Sequence, residues 1–149
     1  MSKRLLIINC SARKSDEALC PAIERYQSPI YFVLRRFLRL HPDQAPVIWI
    51  LSGKYGLIEA DKKIIHYNKV MTENRGKELK GQIFRQFGEL MNKHFPRSKP
   101  NEVFCHLSAN YQLAFKHQLN RLEKISTVII SEGRPGEKSK LLKEWLESK

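Results

Sequence analysis

With 149 residues and a hydrophobic content of 42%, the chain has the apolar material for one domain, residues 1–149, and is too apolar for disorder. Lys and Arg outnumber Asp and Glu by 27 to 15, a formal net charge of +12, which favours a polyanionic partner: nucleic acid or a phosphate-bearing small molecule. No apolar run approaches the roughly 18 residues that span a bilayer, and the short one after Lys3-Arg4 lacks a signal-peptide cleavage pattern. The expectation is a cytoplasmic protein without a membrane partner.

In chain order, Arg4 to Asn9 reads as a buried strand, apolar on both faces and therefore parallel. It opens onto Cys10, Ser11, Arg13 and Lys14. Pro21 to Tyr26 reads as a helical turn. Ser28-Pro29 signals a helix start, with a hydroxyl at N-cap and proline at N1. That helix runs over residues 29–40, with Ile30, Val33, Leu34, Phe37 and Leu38 inward. Val47 to Leu51 is a second buried strand, opening onto Ser52-Gly53-Lys54-Tyr55-Gly56, whose glycines mark positive φ or close approach. Residues 58–71 show no helical period and read as one long extended loop. Thr72 caps the longest helix, to about Asn92, burying Leu79, Ile83, Phe84, Phe87, Leu90 and Met91; Gly76, Gly81 and Gly88 weaken it or let it pack closely on the sheet. A third strand, residues 102–107, is followed by a helix capped by Ser108. A fourth strand spans 125–130, and a last helix, 137–148, turns Leu141, Leu142, Trp145 and Leu146 inward. This alternation predicts an α/β fold: one three-layer domain with a mostly parallel sheet of about four to five strands and helices on both faces.

In such sheets ligands sit outside the carboxyl ends of the strands. Ser11, Ser52, Ser108 and Ser131 all follow apolar runs and should gather on that edge; helix capping accounts for Ser108. Lys14 and Lys54 are placed to hold a phosphate or carboxylate, or, if desolvated, to act as nucleophile or base. Cys10 is a candidate nucleophile with His66 or His106 as base, set against a packing role. Arg25, Tyr26, Tyr55, Tyr67 and Tyr111 would supply donors and stacking surfaces, or else roof the core. Cys10, Cys20 and Cys105 form no disulfide or zinc pattern, no phosphate-binding glycine loop occurs, and nothing pairs the loop acids Glu59, Asp61 and Glu132, so neither cofactor nor metal is expected.

Cys10-Ser11-x-x-Lys14, Pro21 to Tyr26 with Ser28-Pro29, Leu51 to Ile58, and Tyr67-Asn68-x-x-Met71-Thr72 together resemble the YaaA-like family of uncharacterised bacterial proteins, over most of residues 4–75. Gly133 and Trp145-Leu146 also fit that pattern. The Cys-Ser-x-x-Lys element is similar to one in archaeosine synthases, which act on a modified base of transfer RNA. The resemblance implies association with nucleic acid, base modification or DNA protection in a stress response. It implies a site of Cys10, Ser11 and Lys14 from the first turn, Arg25 and Tyr26 from the first helical segment, Ser52, Lys54 and Tyr55 from the second turn, and Asp61, Tyr67 and Arg75 from the long loop and its helix. The expectation is an enzyme acting on a nucleobase, nucleotide or nucleic acid, with glycosidic-bond or base-exchange chemistry as the class the resemblance suggests. Cys10, Ser11, Lys14 and Asp61 would be catalytic, and Arg25, Tyr26, Ser52, Lys54, Tyr55, Tyr67 and Arg75 would bind substrate. The alternative is a non-catalytic basic DNA- or RNA-binding stress protein.

Overall fold

The run Leu5–Ile8 is wholly excluded from solvent at the middle of a five-stranded sheet. The structure, a computed structural model, describes residues 3–148. Strand β1 (Arg4–Asn9) lies between β3 (Val47–Ser52) and β6 (Glu102–His106), parallel to both; β7 (Thr127–Ile130) runs parallel beside β6. The far edge is β4 (Gly56–Glu59), antiparallel to β3, giving the order β4-β3-β1-β6-β7. A separate antiparallel ribbon pairs β2 (Leu19–Pro21) with β5 (Lys63–Ile65).

Alternation along β1 divides the interior in two. Leu5 and Ile7 face Leu79, Ile83, Phe87, Phe115 and Leu119, from and beside α3 (Glu73–Glu78), α4 (Lys80–His94), α5 (Ala109–Ala114) and α6 (Lys116–Glu123). Leu6 and Ile8 face Ala22, Tyr31, Leu34, Leu142 and Trp145, from α1 (Ala22–Arg25), α2 (Pro29–Leu40) and α7 (Pro135–Glu147). The crossover from β1 to β3 therefore passes over one face, and that from β6 to β7 over the other. The winding reverses between β1 and β6. Among the described residues no helix is long and apolar enough to cross a membrane.

Most sequence expectations match these elements, α2 to the residue. The stretch read as one long loop instead holds the end of β4 and all of β5. Three-residue strands carry too little pattern to declare themselves. The longest helix breaks at Leu79 into α3 and α4, and a built Cβ on Gly76 would lie 3.1 Å from the Ala114 side chain, so Gly76 lets α3 close on α5 rather than on the sheet. Phe84, expected inside, is 53% exposed, and Leu141 is exposed as well. Thr72 caps as expected, accepting the Arg75 amide at 3.0 Å. Ser28 and Ser108 occupy N-cap positions without a side-chain capping bond.

Candidate functional site

The turn between β3 and β4 is locked from three sides. Gly56 takes φ +73°, a conformation costly for other residues, while Gln82 and Gln86 of α4 both donate to the Tyr55 carbonyl, at 3.0 and 2.9 Å. A Cβ on Gly53 would lie 2.6 Å from the Lys69 carbonyl oxygen, so only glycine lets the 69–71 segment close over the turn. Arg75 completes the clamp from α3, donating Nε to the Gly53 carbonyl at 2.7 Å and a terminal nitrogen to that of Lys54 at 3.2 Å.

Inside this turn Ser52, fully buried, accepts the amides of Lys54 and Tyr55, each at 3.1 Å. With both lone pairs engaged, its own proton goes to Tyr67, 2.8 Å away. Tyr67 in turn donates to Tyr26 at 2.6 Å. The chain of protons thus runs Ser52 to Tyr67 to Tyr26. Burial first, then the neighbouring Cys10, raises the pKa values of Tyr26 and Tyr67 well above the ordinary phenol value, so both stay protonated at neutral pH. They serve as donors, not bases.

Cys10 ends β1 nearly buried, with its sulfur 2.9 Å from the Tyr111 hydroxyl on α5. Tyr111 is also held protonated, by burial and then by Cys10. The polar partner of the thiol is therefore a phenol, not the histidine expected from sequence. His66 is exposed, and His106 bonds through Nδ1 to Ser131 at 3.0 Å. Burial, with Lys138 adding to it, lowers His106 to about 4, so it is neutral at pH 7. Cys105, pushed up to about 12 by burial, is an inert core thiol.

Lys14 places its ammonium 4.7 Å from the centre of the Tyr67 ring. Partial burial lowers its pKa; Cys10 opposes that shift and the Arg25 charge adds to it. Tyr55 meets Tyr67 edge-on at 5.5 Å, with the Lys54 ammonium 5.5 Å from its ring centre. Among the described residues, Lys14, Arg25 and Lys54 form no ion pair with a carboxylate. Lys14, Tyr55, Tyr111 and Ser11 form the accessible rim, and the hydroxyl chain lies beneath.

Three expected site residues have other places. Asp61 sits in the exposed turn after β4, which runs back to the amino end of β3, roughly 13 Å down the strand from Ser52. It lies too far from Cys10 and Lys14 to share a reaction with them. Arg25 is fully buried and donates to the carbonyls of Ser15, Glu17 and Ile64, so it fixes the loop that carries Lys14 instead of presenting its charge to a ligand. Arg75 is spent on the turn's carbonyls in the same way. Ser11 bonds back to the Arg13 carbonyl at 2.7 Å. The sequence reading passed over Asn9, whose side chain accepts the Ser108 amide at 2.9 Å and so ties β1 to the start of α5 across the reversal of winding. It also left out Tyr31, counted by no helical stripe yet fully buried, with its hydroxyl on the Asn9 carbonyl at 2.9 Å. An asparagine ending an apolar strand was the available signal for the first. Among the described residues no group of three His, Cys, Asp or Glu side chains is placed to hold a metal ion.

Residues 5–144 match a protein family of unknown function (DUF6884), and the chain belongs to that family. No curated protein sequence matches. Among solved structures, it is similar to the crystal structure of AF0587, a protein of unknown function, at 17% identity and a TM-score of 0.50, over 99% of this chain and 46% of that one. The chain thus spans less than half the length of that relative, and the likeness is one of fold.

Proposed function

We propose that this member of the DUF6884 family is an enzyme acting on a nucleobase, nucleotide or nucleic acid at the carboxyl ends of β1 and β3. The observation that carries the reading is a cation partly withdrawn from water, Lys14, which among the described residues has no carboxylate partner and sits over the Tyr67 ring. Uncompensated charge in a low-dielectric setting is costly, and an anionic group beside Lys14 would relieve it. Tyr55 offers a ring on the rim, suited to a base. Lys14 holds the anionic group, Tyr55 stacks, and Cys10 with Tyr111 supplies the nucleophile or acid. The chain of protons from Ser52 keeps the Tyr67 ring, over which Lys14 sits, in one orientation. Glycosidic-bond or base-exchange chemistry rests on the YaaA-like resemblance.

The net charge of +12 also favours a basic binding protein without a reaction. A thermal-shift screen against nucleobases, nucleosides, nucleotides and short oligonucleotides, at low and high salt, separates the two. A ligand at ~100 times its Kd adds about 2.7 kcal/mol of stability. A salt-insensitive shift from one small molecule, lost in Lys14→Ala, is the expected result. Shifts from oligonucleotides alone, abolished by salt and unchanged in Lys14→Ala, would overturn the enzymatic reading.

A further inference from the structure

Helices α3–α4 and α5–α6 are each broken once, at Leu79 and at Phe115, and between the two broken pairs lies an open cavity of about 850 Å³. Lysines stand on both walls, Lys77 and Lys80 on one and Lys116 on the other, against a single acid, Glu73. Phe84 of α4 is 53% exposed and Leu113 of α5 49% exposed, and both line the same cavity. The Phe84 ring is flanked by the His117 ring, with centroids 5.9 Å apart, and by the Arg121 guanidinium, also 5.9 Å from it. Beneath lies Gln118, 2% exposed, whose Oε1 has no hydrogen-bond partner. A buried acceptor without a donor is rare in folded proteins.

We infer that this cavity is a binding track for single-stranded nucleic acid, and that the substrate of the Cys10–Lys14 site is a nucleotide within a strand, of which a free mononucleotide is a fragment that binds Lys14 alone. The inference rests on the proposed nucleobase-directed function for the identity of the site, while the track stands on its own residues. A single strand needs cations spaced to follow its phosphates and an aromatic face on which a base can stack. Lys77, Lys80 and Lys116 supply the first, and the half-exposed Phe84 ring, with the His117 ring tilted beside it, supplies the second. The cavity walls carry the chain neighbours of two site supports: Gly76 follows Arg75, which clamps the Ser52–Gly56 turn, and Asn110 precedes Tyr111, which touches Cys10. Duplex suits it poorly, because paired bases stack on one another and leave no free face for Phe84.

The test is fluorescence anisotropy with a labelled single-stranded oligonucleotide and its duplex, alongside mononucleotide binding by thermal shift. Phe84 is solvent-exposed, so Phe84→Ala and Phe84→Leu leave the fold intact, and circular dichroism checks this. Alanine should weaken the single strand by roughly 5- to 100-fold while Lys80→Gln lowers the salt slope by about 0.7. Mononucleotide shifts should be unchanged in both variants and lost in Lys14→Ala. Unaltered single-strand affinity in Phe84→Ala and Lys80→Gln would overturn the track, as would duplex binding of equal strength. So would a dimer dissolved by Phe84→Ala, which would make the cavity a contact between copies of the chain. Loss of mononucleotide binding in none of the variants, with the oligonucleotide effects present, would refute the Lys14 site and leave the track standing.

Discussion

Replacing Ser52 by alanine removes the oxygen at the head of the hydroxyl chain and tests whether its members are coupled. Three hydrogen bonds disappear, one to Tyr67 at 2.8 Å and two from the amides of Lys54 and Tyr55 at 3.1 Å. At about 1 kcal/mol each, the loss is about 3 kcal/mol, and the side chain is fully buried, so water does not replace the Tyr67 partner. For a chain of 149 residues the melting entropy is about 0.3 kcal/mol per kelvin, so the midpoint should fall by about 10 °C. Tyr67→Phe removes two bonds, to Ser52 and Tyr26, and should cost about 2 kcal/mol. The Ser52–Tyr67 bond is counted in both single variants, so the double variant should cost about 1 kcal/mol less than their sum. Urea unfolding of the four proteins measures this. Additive single effects would show that Ser52 and Tyr67 are not coupled, and the ordered proton chain would have to be given up.

His106 should make the fold acid-sensitive over a defined window. Its pKa falls from 6.5 to about 4 on folding, so between those values the unfolded chain binds the extra proton and stability drops as pH falls. The full effect is about 3 kcal/mol below pH 4; the urea midpoint from pH 7 to 4 should show it, and His106→Gln should flatten that part of the curve. The glycines should divide by environment. Gly53→Ala drives a Cβ against backbone at 2.6 Å and should destabilise markedly, while Gly81→Ala meets nothing within 4 Å and should stabilise α4 by up to about 1 kcal/mol. Equal midpoints in the two alanine variants would contradict the packing of residues 69–71 over the turn.

The sheet was readable because β1 and β3 are unbroken apolar runs, and the helices because α2 and α4 carry a clear apolar stripe. Placement within the site was less readable. Lys14, Ser52 and Tyr55 do converge, since they follow the ends of β1 and β3, whose direction the parallel sheet fixes, and Tyr26 and Tyr67 join them from the end of α1 and from beyond the β2–β5 ribbon. Asp61 does not, because the loop assignment for residues 58–71 hid β4, and an antiparallel edge strand carries its far end back to the opposite side of the sheet. Arg25 was misplaced for a different reason. Sequence gives the charge of a guanidinium but not its partners, and three backbone carbonyls had already claimed this one. Phe84 shows the same limit in reverse: its helical phase matches the buried stripe, yet the break at Leu79 leaves it facing a cavity.

The winding of the sheet supplies the last step. Crossovers leave β1 and β6 on opposite faces, and in doubly wound folds the crevice made by that reversal is where ligands sit. Here Asn9 bridges part of it to Ser108, so the opening lies on the side where Cys10 meets Tyr111. Tyr111 packs against both cores and carries α5 to the Cys10 thiol. Tyr111→Phe keeps the packing and deletes the bond to the thiol. It should leave oligonucleotide affinity near that of the intact protein while impairing turnover; if affinity fell and turnover did not, Tyr111 would belong to the track alone.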